Sequence, residues 1–281
     1  MARAIEQIDR DLVVLGEAIK AIATELKNAY TIYLNLLGEA VRKQLILASY
    51  HLCTQGYPEN FLTLSLNQRQ KLQQAIRKLG QQLSEKLLTY INGEEFTEDE
   101  ELEEDDQDDQ DEELEENNQE LVVQHSRLET PDSSNPEQLA RWQNSLEELT
   151  QRALKKVSYD ANMLLQQAGI LSKKVPEIIL EAAIATSEAA EVMPSPPNLL
   201  NLVIEIDDDE DEEESSLTQI MAINLRLGEI EFADGGVASS RKQIRNILVK
   251  FQKLGREYQK KQRERSVAEA EAAWRSSWYE D

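Results

Sequence analysis

The chain has 281 residues, of which 40% are hydrophobic and 5% aromatic, and its formal net charge is −24. So few aromatic residues favour narrow helical interfaces over one thick globular core. A single cysteine excludes an internal disulfide framework, and two histidines leave little material for a zinc or catalytic site.

Half of the acidity lies in two short runs. Residues 94–120 contain 18 Asp and Glu and residues 205–214 contain 9, with no Lys or Arg in either run. Without these 27 negative charges the chain would carry a net charge of about +3. Because like charges repel one another, we expect two acidic disordered linkers, over residues 94–134 and 205–216, between helical blocks.

Calcium binding by the second run can be tested on spacing. Asp207, Asp209 and Asp211 match the first three ligand positions of an EF-hand loop. The loop then needs Gly and a final bidentate Glu, where this chain has Glu212 and Thr218, so an EF-hand is excluded. A solvated tether is the main interpretation. Diffuse divalent-cation binding and a docking or nucleic-acid-mimicking role remain as alternatives.

Residues 3–54 form the clearest predicted helix, because apolar residues recur at alternating spacings of three and four. This heptad seam comprises Ile5, Ile8, Leu12, Leu15, Ile19, Ile22, Leu26, Ala29, Tyr33, Leu36 and Ala40. It then slips by one residue to Val41, Leu45, Ala48 and Leu52. A helix of this length cannot bury its seam alone.

A turn at Gly56 and Pro58 and a capping box from Ser65 to Gln68 precede a second helix, which makes residues 1–93 a long helical hairpin. The first arm is about twice as long as the second. Its N-terminal half therefore needs another partner, which is either the C-terminal block or a second copy in a homo-oligomer.

The block over residues 135–204 is also predicted to be helical. Asn135 and Pro136 supply an N-cap and a first-turn proline, and the helix that follows stops at Gly169. A shorter Ala-rich helix follows from Pro176 to about Met193. Residues 198–206 fit a strand and a helix equally well.

The last block, residues 217–281, is predicted to hold C-terminal helices. Ile220, Ile223, Leu227 and Ile230 have helical spacing, and residues 234–236 read as a turn. A final helix is predicted from about Ser239 to Ser276.

This final helix has a basic face, the strongest functional candidate of the chain. It consists of Lys242, Arg245, Lys253, Arg256, Lys260 and Arg263, within roughly 80° of arc at 100° per residue. Four interpretations stay open: a solvated face with a Glu257–Lys261 pair, a docking site for an acidic protein surface that includes the chain's own linkers, a nucleic-acid site, and an anionic-membrane site. The terminal Trp274, Trp278 and Tyr279 either cap the bundle or form an exposed anchor.

Two segments resemble an uncharacterised family of cyanobacterial helical proteins with acidic linkers. They are residues 50–62, YHLCTQGYPENFL, and residues 256–265, REYQKKQRER, which lead into AEAAWRSSW. The resemblance implies a cyanobacterial source, and it implies no mechanism.

The sequence therefore predicts an all-α, elongated helical hairpin and coiled-coil bundle with a second helical block. His51 and Cys53 lie about 200° apart on a helix and cannot form a thiol–imidazole pair, His125 stands alone, and no phosphate-binding loop is present. We expect a non-enzymatic scaffold, adaptor or assembly factor without metal or cofactor. The alternative is a nucleic-acid- or ribosome-associated regulator. No signal peptide or spanning segment is recognisable, which predicts a cytoplasmic protein.

Overall fold

The computed structural model describes residues 2–92, 135–172, 196–206 and 216–278. The helices of these residues are α1 (Ala2–His51), α2 (Pro58–Thr63), α3 (Leu66–Asn92), α4 (Pro136–Gln167), α5 (Leu227–Ala233) and α6 (Gly235–Ser277). A π-helical turn, Leu52–Gly56, follows α1, and β1 (Leu199–Ile206) and β2 (Ser216–Ile223) form one antiparallel pair. The fold is all-α, as predicted. The interpretations of residues 93–134, His125, residues 173–195, residues 207–215 and Tyr279 lie outside the described residues.

The predicted seam of α1 is confirmed, because every residue of it is buried or half-buried. A second apolar stripe on α1 is buried as well, and it consists of Ala23, Tyr30, Leu34 and Leu37. Two buried stripes are needed because α1 packs against α3 on one side and against α6 on another. α1 is therefore the central helix of the bundle.

The partner of the N-terminal half of α1 is α6, the last helix of the chain. Four ion pairs between the two segments follow one antiparallel register: Asp9–Arg265 (3.0 Å), Asp11–Lys261 (3.1 Å), Glu25–Lys250 (3.6 Å) and Lys43–Asp234 (4.0 Å, just before α6). The seam that the sequence left without a partner is thus covered within the chain.

α3 returns along α1 as the predicted hairpin, and the two helices meet at glycines. A Cβ on Gly80 would lie 3.3 Å from the Cα of Arg42, and Gly38 faces Ser84. The predicted capping box at the start of α3 is present, since the Ser65 N–H donates to Gln68 Oε1 at 2.9 Å.

α4 begins and ends where the sequence predicts. The Asn135 side chain accepts a hydrogen bond from the Glu137 N–H at 2.9 Å, and Gly169 ends the helix with a φ of 80°. The buried Asn162 of α4 holds β2 by two hydrogen bonds to the backbone of Ile223, both 2.8 Å long. Buried side chains from α1, α3, α4, the strands and α6 form one hydrophobic core, so the two predicted blocks pack together.

Two predictions for the second half of the chain are wrong in part. Residues 216–223 form β2 instead of a helix, because they pair with residues 199–206 and because Tyr57 binds both backbone groups of Met221. Residues 199–206, for which the sequence left strand and helix open, form β1. The final helix begins at Gly235, four residues before the predicted Ser239, because the Asp234 side chain caps it through the N–H groups of Gly236 and Val237.

Candidate functional site

The ten Lys and Arg residues between positions 241 and 265 divide into two groups. Arg241, Lys250, Lys261 and Arg265 each pair with acidic residues. The predicted Glu257–Lys261 pair is wrong, because Lys261 faces α1 and its Nζ lies 3.1 Å from both Asp11 and Glu264. These four cations hold α6 in place.

The other six are the predicted basic face, and the structure places every one of them at the surface. They are Lys242, Arg245, Lys253, Arg256, Lys260 and Arg263. Within the part of the chain that the structure describes, none of them forms an ion pair or a hydrogen bond. Their face lies opposite the buried stripe of Ile244, Ile247 and Phe251. Their charges are therefore available to a ligand.

Exposed apolar side chains share the helical face of these cations. The exposed fraction is 67% for Val249, 52% for Val267, 67% for Trp274 and 65% for Trp278. At 100° per residue, all four fall within the roughly 80° arc of the basic face. We call this set of six cations and four apolar residues the outer stripe of α6.

Two features make the surface of the outer stripe uneven. The rings of Trp274 and Trp278 lie 5.8 Å apart at an angle of 41°, which makes one exposed aromatic patch at the end of α6. A depression of about 380 Å³ is lined by Val249, Gln252, Lys253, Arg256 and Glu257. Because Trp274 and Trp278 are exposed, the interpretation of these two residues as an exposed anchor is favoured over a cap on the bundle.

Sequence reasoning named the cations and the two Trp residues but missed Val249 and Val267. The sequence does contain a pattern that includes both valines, because one helical face is formed by residues at spacings of three and four. These are positions 242, 245, 249, 253, 256, 260, 263 and 267. The two valines were overlooked because a lone valine on a charged face carries no signal of its own.

A largely buried ion-pair network fixes the rotation of α6 and thereby the direction of the stripe. Arg241 binds both oxygens of Glu147 on α4, with Nη2 to Oε2 at 2.7 Å, and its Nε lies 2.8 Å from Glu231 on α5. The guanidinium also stacks over the Tyr33 ring, with its central carbon 4.8 Å from the ring centroid. α1, α4, α5 and α6 therefore meet at one cation.

Two tyrosines of α1 complete this network. Tyr30 donates to Glu147 at 2.5 Å and Tyr33 donates to Glu231 at 2.7 Å. Burial would raise the pKa of Glu147, but Arg241 and Tyr30 outweigh burial and hold the pKa below its usual range. Burial raises the pKa of both tyrosines, so their phenols are neutral hydrogen-bond donors at neutral pH.

The other cavity of note is apolar and lies between α1, α2 and α3. It has a volume of about 310 Å³ and its lining includes Ile46, Tyr50, Cys53, Phe61 and Ile76. Burial raises the pKa of the Cys53 thiol to about 11, so this group is a protonated, weak nucleophile at neutral pH. His51 packs against Tyr50, with ring centroids 5.5 Å apart.

Among the described residues, no cluster of three or more His, Cys, Asp or Glu could hold a metal ion.

No family model, curated protein or solved structure matches this chain. The resemblance to cyanobacterial helical proteins therefore stays a prediction. Over the described ranges, no helix has both the length and the apolar character needed to cross a bilayer.

Proposed function

We propose that this protein is a scaffold or adaptor that captures an acidic segment of a partner protein on the outer stripe of α6. One observation carries this proposal: six exposed cations without described counter-ions share one helical face with four exposed apolar residues. A helix face of this kind matches an amphipathic helix whose own face alternates acidic and apolar residues.

The apolar members of the stripe favour a protein over a nucleic acid. Phosphate backbones require cations, and binding of single strands adds aromatic stacking along the groove. Here the two aromatic residues stand together at one end, while Val249 lies among the cations and Val267 lies just beyond them. Aliphatic side chains at three- and four-residue spacings offer contacts to another helix, and they offer little to a phosphate chain.

The two kinds of residue in the stripe would contribute differently. Exposed cations accelerate association and select acidic partners, and their effect falls as salt increases. The aromatic pair of Trp274 and Trp278 would supply the larger share of affinity, because large exposed rings bury much apolar area in one contact. The association rate would thus depend on salt, and the lifetime of the complex would depend on the aromatic pair.

The experiment uses a fluorescein-labelled heptad peptide with Leu at a and d, Glu at e and g, and Gln elsewhere. We expect Lys253→Glu, Arg256→Glu, Lys260→Glu and Arg263→Glu together to weaken its binding to the full chain at least tenfold at low salt. The matched control reverses four exposed lysines elsewhere, Lys20, Lys27, Lys71 and Lys78, which makes the same change in net charge. Equal binding by both variants would refute the proposal. Tighter binding of a labelled DNA duplex than of the peptide would favour the nucleic-acid alternative.

A further inference from the structure

We infer that the first acidic run, residues 94–120, binds the six cations of the outer stripe of α6 within the same chain and competes there with an acidic partner. The inference rests on the proposed function and concerns the regulation of the same surface. Its basis is the place where the chain re-enters the fold, together with the charges on both sides.

The chain re-enters the fold at α6. Pro136, the first residue of α4, packs against Gly255 of α6, and a Cβ on Gly255 would lie 3.8 Å from the Cβ of Pro136. On the helix Gly255 lies about 100° from Arg256 and about 200° from Lys253, so this contact is on the flank of α6 and not on the stripe itself. One end of the tether to the acidic run is thus fixed at α6, within about one helix diameter of Arg256.

The acidic run can reach every cation of the stripe from this point. Residues 121–135 separate the run from Pro136, and a flexible chain of this length spans about 22 Å. Lys242 and Arg263 are about 32 Å apart at 1.5 Å per residue, and Gly255 lies between them, about 20 Å from Lys242. A tether that matches the distance holds its ligand at a millimolar effective concentration.

The charges of the two segments are complementary. The run carries 18 carboxylates without a cation, whereas the six cations of the stripe pair with no described residue. The other four cations of this part of α6 already have partners on α1, α4 and α5. The second run, by contrast, is held at both ends by the β1–β2 pair, which Tyr57 and Asn162 anchor. The second run is therefore a natural control.

The competition experiment compares three forms of the full chain. The first form is the natural chain. In the first variant, every Asp of residues 94–120 is changed to Asn and every Glu to Gln, which removes 18 carboxylates. In the control variant, the same changes are made in residues 205–214, which removes 9 carboxylates. We expect the first variant to bind the labelled heptad peptide at least tenfold more tightly than the natural chain at low salt, and the difference to shrink as salt rises. The control should bind within about twofold of the natural chain.

The outcomes separate this inference from the proposed function. Equal and stripe-dependent binding by the natural chain and the first variant would overturn the inference and leave the proposed function intact. Absence of binding to either form would overturn the proposed function. In that case a second measurement still decides whether the run contacts the stripe.

That measurement is zero-length carbodiimide cross-linking of the natural chain, followed by mass spectrometry. We expect cross-links from Lys242, Lys253 and Lys260 to carboxylates of residues 94–120, and fewer from the exposed Lys71 and Lys78 of α3. The Lys261–Asp11 pair, 3.1 Å apart, is the internal positive control. A Lys261–Asp11 cross-link without any from the stripe to the run would overturn the inference.

Discussion

Arg241 of α6 and Glu147 of α4 form a two-pronged ion pair although 94 residues separate them in the chain. Only 14% of the Arg241 side chain and 21% of the Glu147 side chain are exposed. Glu231 shares the same guanidinium at 2.8 Å. This single cation therefore pairs with two acidic side chains between four helices.

Replacing Arg241 should destabilise the protein strongly. Arg241→Met removes the cation and leaves Glu147 and Glu231 without their counter-ion in a mostly buried site. Loss of one partner of a buried ion pair costs about 3–5 kcal/mol, and we expect the free energy of unfolding in urea to fall by this order. The control is Lys242→Met at the neighbouring exposed position, which should change stability by about 0.5 kcal/mol or less. Similar values for both variants would show that the network adds nothing to stability.

The same network predicts a loss of stability in acid. Arg241 and Tyr30 hold the pKa of Glu147 below its usual value despite burial, so the charged form is favoured in the folded state. The resulting stability is present above the pKa of Glu in the unfolded chain and is lost as pH falls through the lower folded pKa. Glu147→Gln should therefore show a weaker decline of unfolding free energy between neutral pH and pH about 3. The measurement is urea unfolding at several pH values, and parallel curves for both proteins would contradict the prediction.

Local features of this fold could be predicted because their causes are local. The heptad seam, the capping box at Ser65 and the N-cap at Asn135 depend on residues within a few positions of one another. The exposure of Lys253 and Arg256 follows in the same way from the apolar stripe on the opposite face of one helix.

The remaining features depend on contacts between distant segments. Arg241 and Lys242 are adjacent in the sequence, yet one is the largely buried centre of a network and the other is exposed. Helical periodicity places Arg241 outside the basic face, but it does not identify the counter-ions of Arg241, which come from α4 and α5. The strand at residues 216–223 was missed for a similar reason. The spacing of Ile220 and Ile223 is compatible with a helix, but pairing with β1 makes this segment a strand.

Two glycines of α1 should respond oppositely to the same substitution. A Cβ on Gly38 would lie 2.9 Å from the Cβ of Ser84 and 3.0 Å from its Cα, so Gly38→Ala forces α1 and α3 apart at a cost of about 1–3 kcal/mol. Gly16 has no heavy atom within 4 Å of such a Cβ, and Gly16→Ala should stabilise the helix by about 0.5–1 kcal/mol. Thermal unfolding followed by circular dichroism measures both changes. A stabilised Gly38→Ala protein would mean that α1 and α3 are more separate than this packing implies.

The seam between α1 and α6 should tolerate charge poorly where it is buried. Ile22 is 8% exposed, and Ile22→Asp places an unpaired carboxylate between the helices, at a cost of about 3 kcal/mol or more. Leu15 is half-buried, so Leu15→Asp should cost less. Val14→Asp is the control, since Val14 is 67% exposed. Light scattering on the same proteins measures mass. A fall in mass with Ile22→Asp would assign the seam to a homo-oligomer as well.

Tryptophan fluorescence should report directly on the end of the outer stripe. The chain has three Trp residues; Trp142 is 7% exposed and packs edge-on against Tyr30, whereas Trp274 and Trp278 are exposed. Trp142→Phe leaves only the exposed pair, so we expect its emission to be shifted to longer wavelength and to be quenched efficiently by acrylamide. The control is the double variant Trp274→Phe and Trp278→Phe, which should resist quenching because it retains only Trp142.

Addition of the heptad peptide should then change only one of these two proteins. If the aromatic pair anchors the partner, the emission of the Trp142→Phe protein should shift to shorter wavelength and become harder to quench, because burial removes water from the indole rings. The emission of the control should stay constant. Poor quenching of the Trp142→Phe protein before any peptide is added would mean that the pair is already covered, and the outer stripe would then end at Val267.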